Sequence, residues 1–318
     1  MTEASGRVTL WAIEAFLAVA DEGTVQGAAR RLNASASAIS QQISALEQAL
    51  GAVLLDRAQR PLRLTVAGQT FCRHARAIVN ELAAARAAIG LGGLSGLASF
   101  RLGLIEDFEA GLTPRLLSDL AHEWPQCQFL LETGPSHRLH EAIAARTLDL
   151  IVAADLGLGS DGLEVHRVLE EPFVAVLPKG QGARPFDPAL PLILYTSRHH
   201  MGRQIADALA HQPARTTHRF ELDSYASIMA MVAAGTGWTI LTPLGVLHAA
   251  RFRDKVSLQP LPFAPASRRI ALYARRGVLG PMPGQIAEKL RQMIAEMIVS
   301  PVVAEHPWMK DGLKIIPG

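Results

Sequence analysis

Seven arginines (30, 31, 57, 60, 63, 73 and 76) fall between residues 24 and 76 of this 318-residue chain, against only Glu47 and Asp56. That local excess of positive charge suits a polyanionic partner, although an arginine-rich solvated face has the same composition. The rest of the chain adds nothing to it: the formal net charge of all 318 residues is only +2. Other reactive residue types lack the spacing their chemistry needs. The eleven histidines include the adjacent pair His199-His200 and the i, i+3 pair His137 and His140. Neither arrangement converges on one centre with charged or thiolate help, so no metal site is expected. Cys72 and Cys127 are too few for a disulfide framework, and Cys127 has no resolving partner downstream for thiol redox chemistry. The chain contains no G-x-S-x-G, H-E-x-x-H or G-x-x-x-x-G-K-[ST], and Gly90-Leu-Gly92 follows a helical pattern, not a strand. Neither catalysis nor a bound cofactor is expected.

The elements that must position these residues follow from hydrophobic spacing. A content of 49% hydrophobic and 19% charged residues provides cores for two or three domains. No window holds the ~18 apolar residues of a membrane span, and the opening MTEASGRVTLWAIEAF does not resemble a secretory signal. A cytoplasmic location with no membrane contact is expected. Trp11, Ala15, Phe16 and Val19 form a helical stripe stopped by Gly23. Thr24 can cap a second helix from Val25 to Leu32, and Ser35 a third running to about Ala49, with Ile39, Ile43, Leu46 and Leu50 at core spacing. The turn between them is so short that the helices must cross steeply, as in a helix-turn-helix whose second helix enters a major groove. Leu54 to Arg57 and Gln59 to Thr65 read as a two-stranded wing that lays basic residues on phosphates or in the minor groove.

From Ala67 onward, Phe71, Ala75, Ile78, Leu82, Ala85 and Ile89 keep the spacing of a helix-pairing seam. The alternative is that this seam packs on the protein's own core. Gly90 to Gly96 has the composition of a flexible linker. Beyond it, strands and helices alternate in α/β units: Arg101 to Ile105, Thr113 to Trp124, Gln126 to Leu131, Ser136 to Thr147, Asp149 to Ala153, Leu192 to Tyr195, a helix near Met201, Thr217 to Leu222, Ser224 to Ala234 and Trp238 to Leu241. Doubly wound folds place ligands at the carboxyl ends of their strands. Glu171 to Pro178 and Leu258 to Ala274 would carry the chain between two such halves and back, leaving a cleft.

The segment from Leu10 to Leu64 resembles the winged helix-turn-helix of LysR-type transcriptional regulators. The resemblance rests on AARRL, Ser35-xx-Ala38-Ile39-Ser40-x-Gln42-Ile43, LExxLG from Leu46 to Gly51, LxxR ending at Arg57 and LTxAG from Leu64 to Gly68. LGLIEDF, LLSDLAHEWP, RTLDLIVAAD, EEPFVAVLPKG and ELDSYASIMAMVAAGTGWTILTPL are similar to that family's effector-binding domain. The resemblance spans about residues 8 to 298. It implies an α/β protein with an N-terminal all-α winged helix-turn-helix (1–66), a linker helix and hinge for dimerisation (67–96), and an effector-binding domain (97–300). That domain would comprise two doubly wound, periplasmic-binding-protein-like subdomains, about 97–170 with 270–300 and about 171–269, followed by a C-terminal extension (301–318). It further implies a dimer or tetramer on palindromic promoter DNA, a small-molecule effector between the subdomains, RNA polymerase as a further partner, and no enzymatic activity.

Carried across residue by residue, the resemblance implies base contacts from Ala36, Ser37 and Gln41, phosphate contacts from Ser35, Ser40 and Arg57, and wing contacts from Arg60 and Arg63. Gln42 reads equally as a DNA contact or as a rim residue bonded inside the domain. Ala36 stands where the family commonly has Gln; it can touch a thymine methyl but makes no bidentate contact with adenine. On the ligand side, three helix starts are expected at the cleft: Glu106-Asp107-Phe108, Thr196-Ser197-Arg198-His199-His200 and Asp223-Ser224-Tyr225, with Gly235 either allowing close backbone approach beside them or marking the turn between helix and strand. Free N–H groups and hydroxyls there favour a small organic acid, whereas Glu106 and Asp107 suit an amine or cap their own helix; an amino acid would use both. A solute-binding protein without DNA-binding function is the alternative from another class, but it leaves residues 1 to 90 without a purpose.

Overall fold

The computed structural model describes residues 7–57, 61–88, 99–109, 111–157, 162–180, 184–187, 190–211, 218–263 and 266–318. Arg60, Ile89, Thr217 and the Gly90 to Gly96 segment lie outside them. The chain divides into two units, Met1–Phe100 with Trp124–Gln128, and Arg101–Glu123 with Phe129–Gly318.

In the first unit, α1 (Leu10–Glu22), α2 (Val25–Arg31) and α3 (Ala36–Leu50) each start on a hydroxyl cap. Thr9, Thr24 and Ser35 accept the N–H of Ala12, Gly27 and Ala38 at 3.1, 3.0 and 3.1 Å. Each cap contributes ~1 kcal/mol. Between α2 and α3, Asn33 adopts a φ of 51°, a left-handed conformation that asparagine tolerates better than most residues, and this lets so short a connection turn the chain steeply. Phe16, Val19, Ala28, Ile39, Ile43, Leu46 and Leu54 form the buried core. The wing pairs β1 (Leu55–Asp56) antiparallel with β2 (Arg63–Leu64), and Leu62 N–H donates to Gly23 O at 2.9 Å. α4 (Val66–Ala88) follows. Its first turn is bound to the wing by Thr65, whose hydroxyl donates to Val53 O at 2.7 Å and accepts from Gly68 N–H at 2.9 Å. A Cβ on Gly68 would stand 2.0 Å from Leu54 O, so this close approach requires glycine.

The expected seam on α4 divides between two roles. Ala75 is buried in the unit's own core and Phe71 meets the Phe16 ring edge-on at 5.4 Å, while Ile78 and Ala85 are exposed.

From residue 99 onward the chain forms β3 (Ser99–Leu104), α5 (Leu112–Glu123), β4 (Gln128–Thr133), α6 (Ser136–Ala144), β5 (Leu150–Ala154), β6 (Leu163–Pro172), β7 (Val174–Pro178), β8 (Leu192–Tyr195) and α7 (His200–Ala210). It continues with β9 (His218–Leu222), α8 (Tyr225–Ala233), β10 (Trp238–Leu241), α9 (Pro243–His248), β11 (Val256–Pro260), β12 (Ser267–Arg275), α10 (Met282–Ile294), α11 (Ser300–Glu305) and β13 (Lys314–Ile315). A six-stranded sheet has the order β13-β6-β12-β5-β3-β4, and a five-stranded sheet the order β11-β7-β10-β8-β9. The βαβ neighbours β3/β5 and β8/β10 run parallel. β7 and β12 run antiparallel to theirs, because they enter their sheets from the other half of the fold. The outward and return crossings meet where Phe173 N–H donates to Ala266 O at 2.8 Å.

Two expectations change here. Glu106–Phe108 is a single 3-10 turn, and the helix itself starts only at Leu112. The C-terminal residues, unreadable in the sequence, are an added edge: β13 pairs with Leu169 and Glu170 of β6. Buried Met309 and Leu313 anchor the segment, and the Arg291 guanidinium donates to Ile316 O and Arg167 O, both at 2.8 Å.

Candidate nucleic-acid interface and ligand cleft

In the N-terminal unit, burial of Ile39, Ile43 and Leu46 fixes the rotation of α3. The opposite face shows Ser37, Ser40, Gln41, Ser44 and Gln48, all exposed at helical spacing. Ser35 is exposed too, but its hydroxyl is engaged by Ala38 N–H and lies 3.0 Å from the Ser37 hydroxyl. Ala36 packs partly against the core and Gln42 is half-buried. Thr24 and Gln26 of the α2 start, Ser37 and Ser40 of α3, and Arg57 and Pro61 of the wing line an open groove of about 490 Å³. Thr24, singled out in the sequence only as a helix cap, Gln26 and the outer stripe residues Ser44 and Gln48 were missed as groove residues; continuing the spacing of Ser37 and Gln41 along the helix would have found the last two.

The arginines differ in what they offer. Arg31 and Arg76 both bind Asp21, at 3.0 and 2.6 Å, and tie α2 and α4 to α1. Arg57 reaches Glu47 at 2.9 Å, and Glu47 also accepts the Leu54 and Leu55 N–H groups. Arg30, Arg63 and Arg73 are exposed and form no ion pair among the described residues. The uncompensated positive charge is therefore smaller than the sequence count, and Arg63 places part of it on the wing.

In the α/β body, a cavity of about 30 Å³ lies between elements of the two sheets, at the carboxyl ends of β3, β5 and β8. Glu106 and Asp107 follow β3, Ser136 opens α6, Tyr195 ends β8, His200 opens α7 and Tyr225 opens α8. Behind the cavity, Arg268 on β12 is buried with two carboxylates. Its Nε is 2.6 Å from Glu171 Oε1, and its Nη2 contacts Asp107 and donates to Thr242 Oγ1 at 3.1 Å. Glu171 also accepts Leu244 N–H at 3.1 Å, and the Tyr225 hydroxyl donates to Asp107 at 3.2 Å. Burial opposes the guanidinium charge, but Asp107 and Glu171 more than offset it and hold Arg268 well above its ordinary value. Burial pushes Glu171 up. A Cβ on Gly245 would stand 2.8 Å from the Tyr225 ring; glycine there lets α9 pack against that ring.

Nearer the opening, the Tyr195 hydroxyl lies 3.3 Å from Glu106 Oε1 and 3.0 Å from His199 Nδ1. The Tyr195 and Tyr225 rings stack at 5.1 Å and 23°. Burial, then Asp107, push Glu106 up. Burial, then His137 for His199 and Arg203 for His200, push both histidines down towards the neutral form. His200 Nε2 is buried without a hydrogen-bond partner among the described residues.

Several expected ligand residues have other work. Phe108 is buried in the core. Thr196 Oγ1, Ser197 N–H and Ser197 Oγ all donate to Glu221 Oε1, at 2.8, 2.9 and 3.2 Å, so the chain's own carboxylate fills the anion seat. The Ser197 N–H and the Thr196 hydroxyl hold Glu221 below its ordinary value. Arg198 pairs with Asp223 at 3.1 Å, Ser224 caps α8 through Ser227 N–H, and Gly235, at φ 77°, forms the turn leaving α8. Of the expected set, Glu106, Asp107, His199, His200 and Tyr225 line the cavity; Arg268, Tyr195 and Ser136 were missed as ligand residues. Arg268 gave no signal, because a charged residue at a strand start reads as exposed.

Two family models match the chain: the bacterial regulatory helix-turn-helix protein of the lysR family over residues 10–69, and the LysR substrate binding domain over residues 94–296. A Mycobacterium avium protein named as a probable hydrogen peroxide-inducible genes activator is 29% identical over 284 residues, covering 86% of this chain and 90% of the relative. The HTH-type transcriptional regulator DgdR of Burkholderia cepacia is 29% identical over 252 residues, covering 79% and 83%. The solved structure of an OxyR cysteine mutant from Corynebacterium glutamicum aligns with a TM-score of 0.69 at 21% identity, covering 94% of this chain and 97% of that one.

Proposed function

This chain belongs to the LysR family of transcriptional regulators, and on that premise we propose that α3 reads promoter DNA while the cleft beside Arg268 receives the small molecule that controls it. The observation that supports the DNA reading best is the continuous exposed stripe Ser37, Ser40, Gln41, Ser44 and Gln48, with Arg63 on the neighbouring wing. Fifteen helical residues at ~1.5 Å each suffice to lie along a major groove ~12 Å wide. Exposed Ile78 and Ala85 on α4 are the part of the seam left for a second copy, so a dimer or higher oligomer binds a palindromic site. RNA polymerase is its further partner, in the cytoplasm. The protein regulates and does not catalyse.

The test is binding to duplex promoter fragments and to random duplex across a salt series. Specific retention that weakens with salt, with Gln41→Ala shifting sequence preference while Arg63→Ala weakens both duplexes alike, supports the assignment. The absence of salt-sensitive binding to any duplex refutes it.

The sequence-based expectation of an organic acid or amino acid as effector narrows, since Glu221 fills the seat that favoured a free acid. The Mycobacterium avium relative's name suggests a second reading, response to hydrogen peroxide. Thiol sensing would have to use Cys72 or Cys127, since no cysteine follows residue 127, and the two form no disulfide. A ligand in the cleft accounts better for the polar groups gathered there. We therefore expect a Cys72→Ser, Cys127→Ser double variant to keep its effector response in a reporter assay; loss of response to peroxide in that variant would favour the thiol reading instead.

A further inference from the structure

We propose that the cleft selects the positively charged end of its ligand, an ammonium or guanidinium group held by Glu106 beside the Tyr195 and Tyr225 rings. This rests on the reading of the cleft as the effector site, and deepens it by naming the ligand class.

Four observations carry the assignment. First, among the described residues Arg268 is the one Lys or Arg lining the cavity, and it is already shared between buried Asp107 and Glu171. No uncommitted positive charge remains there to meet a carboxylate, whereas Glu106 adds a further negative one. Second, His199 and His200 do not supply the missing charge, because burial favours their neutral forms. Third, the hydroxyls and N–H at the start of the α7 segment, where an anion would otherwise sit, enclose the Glu221 carboxylate. Fourth, a carboxylate next to a stacked tyrosine pair (ring centroids 5.1 Å apart) combines ionic and ring-quadrupole attraction for a cation.

The dimensions agree. A cavity of about 30 Å³ exceeds the roughly 10–15 Å³ that one buried water needs, and so admits a small head group and not a bulky one. His200, which also lines the cavity, has its Nε2 buried without a hydrogen-bond partner among the described residues. Burial and Asp107 make the ionised Glu106 costly. A cation beside it relieves that cost, so binding and ionisation favour one another.

The experiment uses the full chain and probes matched in size but opposite in charge: n-butylamine, putrescine and guanidinium against butyrate and succinate, at constant ionic strength. Thermal shift and calorimetry report binding, and promoter occupancy reports the response. The expected result is that the cations bind and the carboxylates do not. Glu106→Gln, which keeps shape but removes charge, should weaken cation binding about tenfold or more, equivalent to ~1.4 kcal/mol. Tyr195→Phe, which keeps the ring, should retain the charge preference. Binding of carboxylates in place of cations, equal cation binding by the parent and Glu106→Gln, or no cation binding at all each overturns the proposal. If carboxylates alter promoter occupancy and cations do not, the ligand class is wrong while the effector-site reading stands. If cations bind through Glu106 but never alter occupancy, the charge preference stands and the effector reading falls.

Discussion

Arg57 and Arg63 lie on the same wing and differ in their neighbours. Arg57 is held at 2.9 Å by Glu47, so a phosphate that recruits it must compete with an existing carboxylate. Arg63 is exposed with no acid partner among the described residues. Arg63→Ala should flatten the salt dependence of DNA binding by about one unit, and Arg57→Ala by less; equal slopes in a salt titration of both variants would contradict this ranking. Glu106 permits a second argument from a single group. Its carboxyl is held above the ordinary 4.5, first by burial and then by Asp107, so the folded chain binds the proton more tightly than the unfolded one. The associated stability is present at low pH and is lost as pH rises through the raised value. Without ligand, Glu106→Gln should therefore melt above the parent at pH 7, and the difference should vanish below pH ~4.5, as melting curves across that range will show.

At the scale of elements, the helix-turn-helix depends on short-range caps and one close approach. Thr9, Thr24 and Ser35 stand where helix starts need a side-chain acceptor, and the sequence displays two of these, Thr24 and Ser35, plainly. Gly51 and Gly68 are both glycines of this unit, for different reasons. Gly51 has a left-handed φ of 64° with open space around it, whereas a Cβ on Gly68 would stand 2.0 Å from the Leu54 carbonyl oxygen. Gly51→Ala should cost ~1 kcal/mol of local stability. Gly68→Ala should cost ~3 kcal/mol, because a backbone carbonyl has little room to yield. Denaturant unfolding of the two variants checks the order, and a smaller loss for Gly68→Ala would mean that α4 shifts away from the wing.

For the molecule as a whole, a buried cluster of three charges lies beside the crossings between the two halves of the α/β body. One guanidinium serves Asp107 after β3 and Glu171 on β6, both buried, with Tyr225 and Thr242 from the other half bonded to the same network. Removing the cation leaves two buried carboxylates without compensation, at ~3–5 kcal/mol. Arg268→Met should therefore lower the calorimetric melting temperature of the chain markedly and abolish the effector response. A near-native melting temperature in this variant would show that the carboxylates bind protons or water instead. If the effector binds in this cavity, as proposed, the bonds between the halves around it are those that ligand binding would have to bias for one arrangement over another.

The sequence by itself determined the helix-turn-helix, its caps and its buried stripe, the alternation of strands and helices, and the family. These rest on relations within a few residues: i, i+3 and i, i+4 spacing, a hydroxyl ahead of a helix, a turn too short for anything else. It also placed Glu106, Asp107, His199, His200 and Tyr225 at strand ends and helix starts facing the cleft. Tertiary structure alone decided which charges remain available. Arg268 meets Glu171 across 97 residues and Asp107 across 161, Glu221 reaches back to Thr196, and Asp21 takes up Arg31 and Arg76. Composition counts each of these as a charge, but folding brings opposite charges together over distances along the chain that no local pattern records, and the residual field of a site is what remains after they have neutralised one another.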